Sequence, residues 1–252
     1  MIASLPMYDR PSTAGANDRL WAAIRDRLRA AGLPAPEALT RGGDLWDHWL
    51  APDLVLSQTC GLPYRSRLHD RVTLVGTPDY GLPGCPPGHY RSVLVARPDD
   101  PRQRAEDFAG ARIAVNGLDS QSGWASLLNH EPALARDEVV VTGAHASSVA
   151  TVAEGRADLA AIDAITWRLL EAEGATTGVR VLGMTEPTPG LPLVAAAGSD
   201  MDLLRDAISG AMSKLAPEDR TALGVRGLLQ IPAAAYLAIP TPAIAAQIAS
   251  GA

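Results

Sequence analysis

The residues of this chain best placed to do chemistry are polar ones that follow apolar runs. The run Ile113–Asn116 leads into Asp119, Ser120, Gln121, Ser122 and Gly123. The run Val139–Val141 leads into Thr142, Gly143, His145, Ser147 and Ser148, and Leu159–Ile162 into Asp163. Nearer the start come Tyr8 with Asp9 and Arg10, then Ser57, Gln58 and Thr59, then Asp79 and Tyr80. Hydroxyls, amides and aromatics dominate this set. They suit hydrogen bonding to a small polar ligand. No pair of carboxylates has evident acid/base spacing, and no phosphate-loop or dinucleotide glycine fingerprint occurs.

Two readings stand for the stretch "NGLDSQSGW". A helix that starts at its serines leaves its first backbone N–H groups unpaired and partly positive, so an anion can sit there without lysine or arginine. Ser120 and Ser122 add hydroxyl donors, and Gly123 allows close approach. Alternatively a serine simply caps the helix. Asp163 likewise either caps the helix after it or accepts a hydrogen bond from a ligand's ammonium or hydroxyl. His145 is either a donor to an anion or a surface loop residue. Cys60 could act as a nucleophile with His145 or His89, but nothing in the spacing supports such a pair.

The elements that must position these residues alternate between strand and helix. Leu20, Ile24 and Leu28 form one apolar stripe on a helix capped by Asn17 or Asp18 and running to about Ala31. Strands are expected at Ile2–Met7, at Asp53–Gln58, in "RVTLVGTPDYG", in "YRSVLVARPDD" and at the three apolar runs named first. Helices are expected from about Ser122 to Leu128 and from Ser147 to Gly155. A late amphipathic helix places Leu204, Ile208, Ala211, Met212 and Leu215 on one face. This order implies an α/β protein with largely parallel sheets. Ligands of such sheets bind outside the carboxyl ends of the strands, where the polar residues above fall. The section Ile113–Gly183 reads as a self-contained α/β unit bracketed by two apolar strands, so two lobes are expected. One spans 1–90 plus 192–252 and the other 91–191, with crossings near 92–97 and 191–197.

Composition narrows the function classes. The chain has 252 residues, 47% hydrophobic and 20% charged, with a net charge of −6. That balance excludes a general nucleic-acid binder, which needs a basic face for phosphates. Lys214 is the sole lysine. The apolar-rich run Ile231–Ile248 is broken by Pro232, Pro240 and Pro242, so no membrane span is expected. The opening "MIASLPMYDRP" lacks the basic segment and apolar core of a signal peptide, which as written implies the cytoplasm. Cys60 and Cys85 are expected to remain thiols in a reducing compartment, and without a CxxC pair no metal site is expected. No cofactor is implied.

Three segments in order carry a resemblance: "GHYRSVLVARPDD", "DFAGARIAVNGLDSQSGW" and "GAHASSVATVAEGRADLAAID". Together they resemble the phosphate/phosphonate-type substrate-binding proteins of ABC transporters, over Tyr90–Asp163 in order and spacing and more weakly over nearly the whole chain, including "LPMYDRP". The resemblance implies a two-lobed type II periplasmic-binding-protein fold. Each lobe would be a mostly parallel sheet flanked by helices, joined by a two-strand hinge, with a ligand in the cleft. It places the family's serine loop on Ser120, Gln121 and Ser122, its anion-contacting histidine on His145, a cleft tyrosine on Tyr90 and a late acidic contact on Asp163. Tyr8 matches a second cleft tyrosine in position. Three departures stand out: Gln121 replaces a small hydroxyl residue, Ala144 replaces a serine, and the signal peptide is missing. If the true start lies upstream, the protein is periplasmic.

The expected function is capture of a small polar anion, phosphate, phosphonate or a related oxyanion, as a transport receptor or ligand sensor. Expected contacts are Tyr8, Gln58, Thr59, Tyr80, Tyr90, Ser120, Gln121, Ser122, Gly123, His145 and Asp163. The expected partners are an anionic or zwitterionic ligand and an ABC permease or regulatory protein, with the chain itself a monomer. The alternatives are an enzyme on the same scaffold and a cytoplasmic ligand-gated interaction domain.

Overall fold

Residues 1–136 and 138–242 are described by the computed structural model of the chain. The end of the Ile231–Ile248 run therefore lies outside the described residues. The strands are β1 (Ile2–Ser4), β2 (Leu54–Gln58), β3 (Val72–Asp79), β4 (His89–Tyr90), β5 (Ser92–Ala96), β6 (Arg112–Val115), β7 (Glu138–Val141), β8 (Leu159–Asp163), β9 (Arg180–Met184), β10 (Thr188–Pro189), β11 (Leu193–Ala196) and β12 (Gly227–Leu229). The helices are α1 (Ala14–Ala30), α2 (Leu45–Trp49), α3 (Gly61–Pro63), α4 (Ser126–His130), α5 (His145–Ala153), α6 (Ala164–Ala172), α7 (Met201–Ser213), α8 (Pro217–Leu223) and α9 (Ala233–Leu237).

The chain forms two compact units. The first comprises Met1–His89 and Pro189–Ala238, and the second is Tyr90–Thr188, joined by the described residues after Ala238. Where the sequence reading extends the first lobe to the C-terminus, the structure ties Pro240 to the second unit: its carbonyl accepts from Asn129 Nδ2 at 3.0 Å.

In the first unit the sheet order is β1-β2-β11-β3-β12. β1 and β2 are parallel, while β11 runs antiparallel to β2 and β3. β1, β2 and β3 therefore point the same way and deliver their carboxyl ends to one edge. Leu20, Trp21, Ile24 and Leu28 of α1 share one core with Leu204, Ile208, Ala211 and Met212 of α7. Each large side chain buried there contributes about 1.5–3 kcal/mol. The other face packs Trp49, Leu54, Tyr64, Leu68 and Tyr236.

The start of α1 differs from expectation. Neither Asn17 nor Asp18 caps it. The helix begins at Ala14, because Thr13 Oγ1 accepts from Arg10 N at 2.9 Å and closes an earlier entry turn. Asn17 instead donates to Asp9 Oδ1 at 3.1 Å, and Asp18 accepts from Arg41 at 2.8 Å.

In the second unit the order is β7-β6-β8-β5-β9. β6 is parallel to both β7 and β8, whereas β5 is antiparallel to β8 and β9. Both sheets are thus mixed, each with its parallel strands carrying the polar loops. β8 is buried along its whole length, which explains its unbroken apolar run. Val149 and Val152 of α5 and Trp167 and Leu170 of α6 cover one core with Val93, Ala114 and Ile162. At the end away from the polar loops, Arg112 donates from its backbone N and its guanidinium to the Asp158 carboxylate at 3.0–3.2 Å. Arg112 begins β6 and Asp158 precedes β8, so this ion pair pins the parallel register.

Candidate functional site

The second unit gathers its polar groups where β6, β7 and β8 end. β6 ends at Val115, and its carbonyl accepts from Thr142 N at 2.8 Å, which ties the two loops together. Ser120 then caps the next helix, with Oγ accepting from Gly123 N at 3.0 Å. The first turn, Gln121–Ala125, is wound as a π-helix and runs directly into α4. Its first internal bond runs from Ala125 N to Ser120 O at 3.0 Å. The N–H groups of Gln121 and Ser122 come before that bond, at the partly positive helix end.

The serine-loop side chains are all engaged. Ser120 is spent on the cap. Gln121, only 1% exposed, donates its amide to Ser126 Oγ at 2.9 Å, one turn further into the helix. Ser122 Oγ lies 2.8 Å from His145 Nε2, and the Ser122 carbonyl accepts from Ser92 Oγ at 2.8 Å. Ser92 faces Asp163 in the β5–β8 register, which links the serine loop to the end of β8.

His145 is the first residue of α5. Ala144, at the cap position, supplies no side-chain bond to this helix end. Burial pushes the imidazole pKa down to about 4, opposed only by the nearby Ala161 carbonyl. The ring is therefore neutral near pH 7. By strict geometry Nδ1 is buried with no hydrogen-bond partner among the described residues. Asp163 caps α6: Oδ1 accepts from Ile165 N at 2.7 Å and Thr166 N at 2.9 Å.

Three further residues belong to this region and escaped the sequence reading. Asn116, directly after β6, holds its Oδ1 buried and without a partner among the described residues, and Trp124, 1% exposed, does the same with Nε1. Ser92 is fully buried under the serine loop. The only sequence signal for Asn116 was its place at the end of a buried strand.

In the first unit, the ends of β1, β2 and β3 gather a second polar group. Tyr8 meets Tyr80 edge-on, with ring centroids 5.1 Å apart. Gln58 Nε2 lies 3.3 Å from Tyr80 Oη and 3.2 Å from the Leu191 carbonyl it donates to. Thr59 is fully buried, and its hydroxyl has no partner among the described residues. Tyr90, which opens the second unit on β4, is buried as well. Cys60 and Cys85 are both thiols. Among the described residues no group of His, Cys, Asp and Glu is placed to hold a metal ion, and no helix is long and apolar enough to cross a membrane.

Two α/β units, one inserted into the other, with polar loops at the strand ends, define a protein of the periplasmic-binding-protein class. The chain belongs to the family of periplasmic substrate-binding proteins of phosphonate ABC transporters, whose description matches residues 59–234. No curated protein sequence matches it. Solved structures agree on the fold. A Xanthomonas citri protein determined with chloride bound superposes with a TM-score of 0.71 at 15% identity, covering 100% of this chain and 98% of that one. PhnD1 of Prochlorococcus marinus, in complex with methylphosphonate, gives 0.69 at 12% identity, covering 93% and 94%. The binding component of a Pseudomonas aeruginosa ABC phosphonate transporter gives 0.64 at 16% identity, covering 94% and 82%.

Proposed function

We propose that the second unit captures a phosphonate or related oxyanion at the seat made by Ser120–Gly123 and His145. The observation that carries this reading is the Ser122–His145 pair standing at the N-terminal end of the helix that follows β6. Gln121 contributes through its backbone N–H, since its side chain is turned into the helix. Tyr90 and Asp163 are assigned as further contacts within this unit, and within the first unit, taken by itself, Tyr8, Gln58, Thr59 and Tyr80 are assigned as ligand contacts. A phosphonate-bound relative of the same fold supports the choice of ligand class.

The role is binding rather than turnover. Ser122 and His145 are close enough for a nucleophile and its base, but a ring with its pKa near 4 accepts a proton poorly at neutral pH. Family membership favours delivery to an ABC permease, and hence a periplasmic location. Titration calorimetry against methylphosphonate, phosphate, sulfate and a zwitterionic aminoalkylphosphonate tests the reading. Binding of at least one phosphonate without release of phosphate is expected. A folded protein that binds none of the four would overturn it.

A further inference from the structure

Gly123 marks a point where three groups converge. A methyl added to its α-carbon would stand 1.9 Å from Asn116 Oδ1 and 3.3 Å from His145 Cε1. The Asn116 carboxamide therefore rests on the glycine, where the Cε1 corner of the imidazole, bonded to both ring nitrogens, also closes in. Of the two residues that meet over this glycine, each has one buried polar atom without a partner among the described residues: Asn116 Oδ1, an acceptor, and His145 Nδ1. The opposite ring nitrogen, Nε2, is held by Ser122. Leaving buried polar atoms unpaired is costly, so such atoms call for an explanation.

The chemistry of the seat supplies one. Residues 116–126 and 142–148 contain no lysine or arginine and one acid, Asp119. The one cation these loops can generate is the imidazolium of His145. No charged side chain sets the ring's proton affinity in the ligand-free protein: burial lowers it and the Ala161 carbonyl opposes. The elements packed on α5 include β5, β6, β8 and α6. Of their acids and bases at this end, Asp163 is engaged in capping α6, and neither it nor Arg168 and Glu171 of α6 contributes to the ring's shift. A neutral ring has one N–H. To donate from Nε2 to an anion as a cation, it needs an acceptor for the second N–H at Nδ1.

We propose that Asn116 is the positioning residue for His145. When an oxyanion takes the Nε2 side of the ring, the ring gains a proton, donates one N–H from Nε2 to the anion and the other from Nδ1 to the Asn116 carbonyl, and so binds as an imidazolium. Ser122, released from Nε2, turns its own proton to the ligand. Anion binding is then coupled to uptake of one proton from solvent. This rests on the oxyanion reading above.

The test is an NMR titration of the His145 ring, with and without saturating methylphosphonate, alongside calorimetry between pH 4.5 and 7. In the natural sequence, the ligand should raise the ring's pKa by about two units, and affinity should strengthen as pH falls from 6.5. Asn116→Leu should abolish the ligand-induced rise and weaken binding about tenfold at pH 5 while having little effect at pH 7. Asn116→Asp, which keeps the acceptor and the shape, should retain the rise and start from a higher value in the free protein. If Asn116→Leu shows the same rise as the natural sequence, the acceptor is the Ala161 carbonyl and the inference is overturned. If methylphosphonate binds with a pH-independent affinity and no rise, the inference also fails while the oxyanion seat stands. No methylphosphonate binding by the folded natural protein overturns the inference. If phosphate, sulfate and the aminoalkylphosphonate also fail to bind, the oxyanion reading falls with it.

Discussion

Ser122 Oγ and His145 Nε2, 23 positions apart in the chain, lie 2.8 Å from each other and join the helix after β6 to the helix after β7. The two groups are bonded to each other, so an anion must displace this hydrogen bond to reach either of them. Ser122→Ala removes the one side-chain hydroxyl that reaches from the serine loop to the histidine. A hydrogen bond to a charged ligand is worth about 1.5–3 kcal/mol, so methylphosphonate binding should weaken about 10- to 100-fold by calorimetry. The circular dichroism spectrum should not change. Unaltered affinity in this variant would remove the serine loop from the site.

The depressed pKa of His145 has a consequence for stability. Its folded value is about 4, below the ordinary 6.5, so the unfolded chain binds more protons between those limits. The stabilisation from keeping the ring neutral is fully present above pH 6.5 and is lost as pH falls toward 4. Its upper bound is about 3 kcal/mol, reduced because the ring is only half-buried. The melting temperature should fall over this window, and His145→Gln should flatten the fall. Asp100, held near 2 chiefly by the Arg102 guanidinium, acts in a different window, losing its contribution as pH drops from 3.8 toward 2. Identical melting curves for the natural protein and His145→Gln between pH 4 and 6.5 would contradict the assignment.

The strand-end residues were legible because ligand loops in α/β sheets collect at carboxyl ends, and β1–β3 and β6–β8 each share a direction. The serine loop stood out because hydroxyls and a glycine follow a buried strand. Strand direction was less legible: β5 and β11 are apolar runs like the others, and burial on both faces erases the pattern that would mark them antiparallel. The aim of Gln121 was not legible either. Its amide has the reach to face a ligand, and only the bond to Ser126 shows it turned inward. Asn116 went unassigned because its role depends on Gly123 and His145, which the fold brings to it from further along the chain.

Asp163 presents two roles that substitution can separate. Its Oδ1 accepts from two backbone N–H groups at the start of α6. Asp163→Ala should cost about 1–2 kcal/mol of stability by urea denaturation through loss of that cap. Asp163→Ser keeps a capping oxygen and removes the charge, so most of the stability should return. If affinity for methylphosphonate follows stability through both variants, Asp163 acts by capping. Loss of affinity in the serine variant at restored stability would show a direct contact with the ligand.

Gly123 cannot carry a side chain while Asn116 keeps its place. The barrier is contact and not backbone strain, since Gly123 is not among the glycines with positive φ. Gly123→Ala would put a methyl 1.9 Å from Asn116 Oδ1, far inside van der Waals contact. The carboxamide must swing away or the helix must shift, at a cost of about 1–3 kcal/mol. Asn116→Ala in the same chain removes the obstructing atoms, so the double variant should recover much of the loss in urea denaturation. The two substitutions should therefore couple by about 1 kcal/mol or more. Methylphosphonate binding at pH 5 should not recover with stability, because the carbonyl assigned to His145 is absent from the double variant. Strictly additive stabilities would show that Asn116 yields freely, and that its position over Gly123 constrains neither residue.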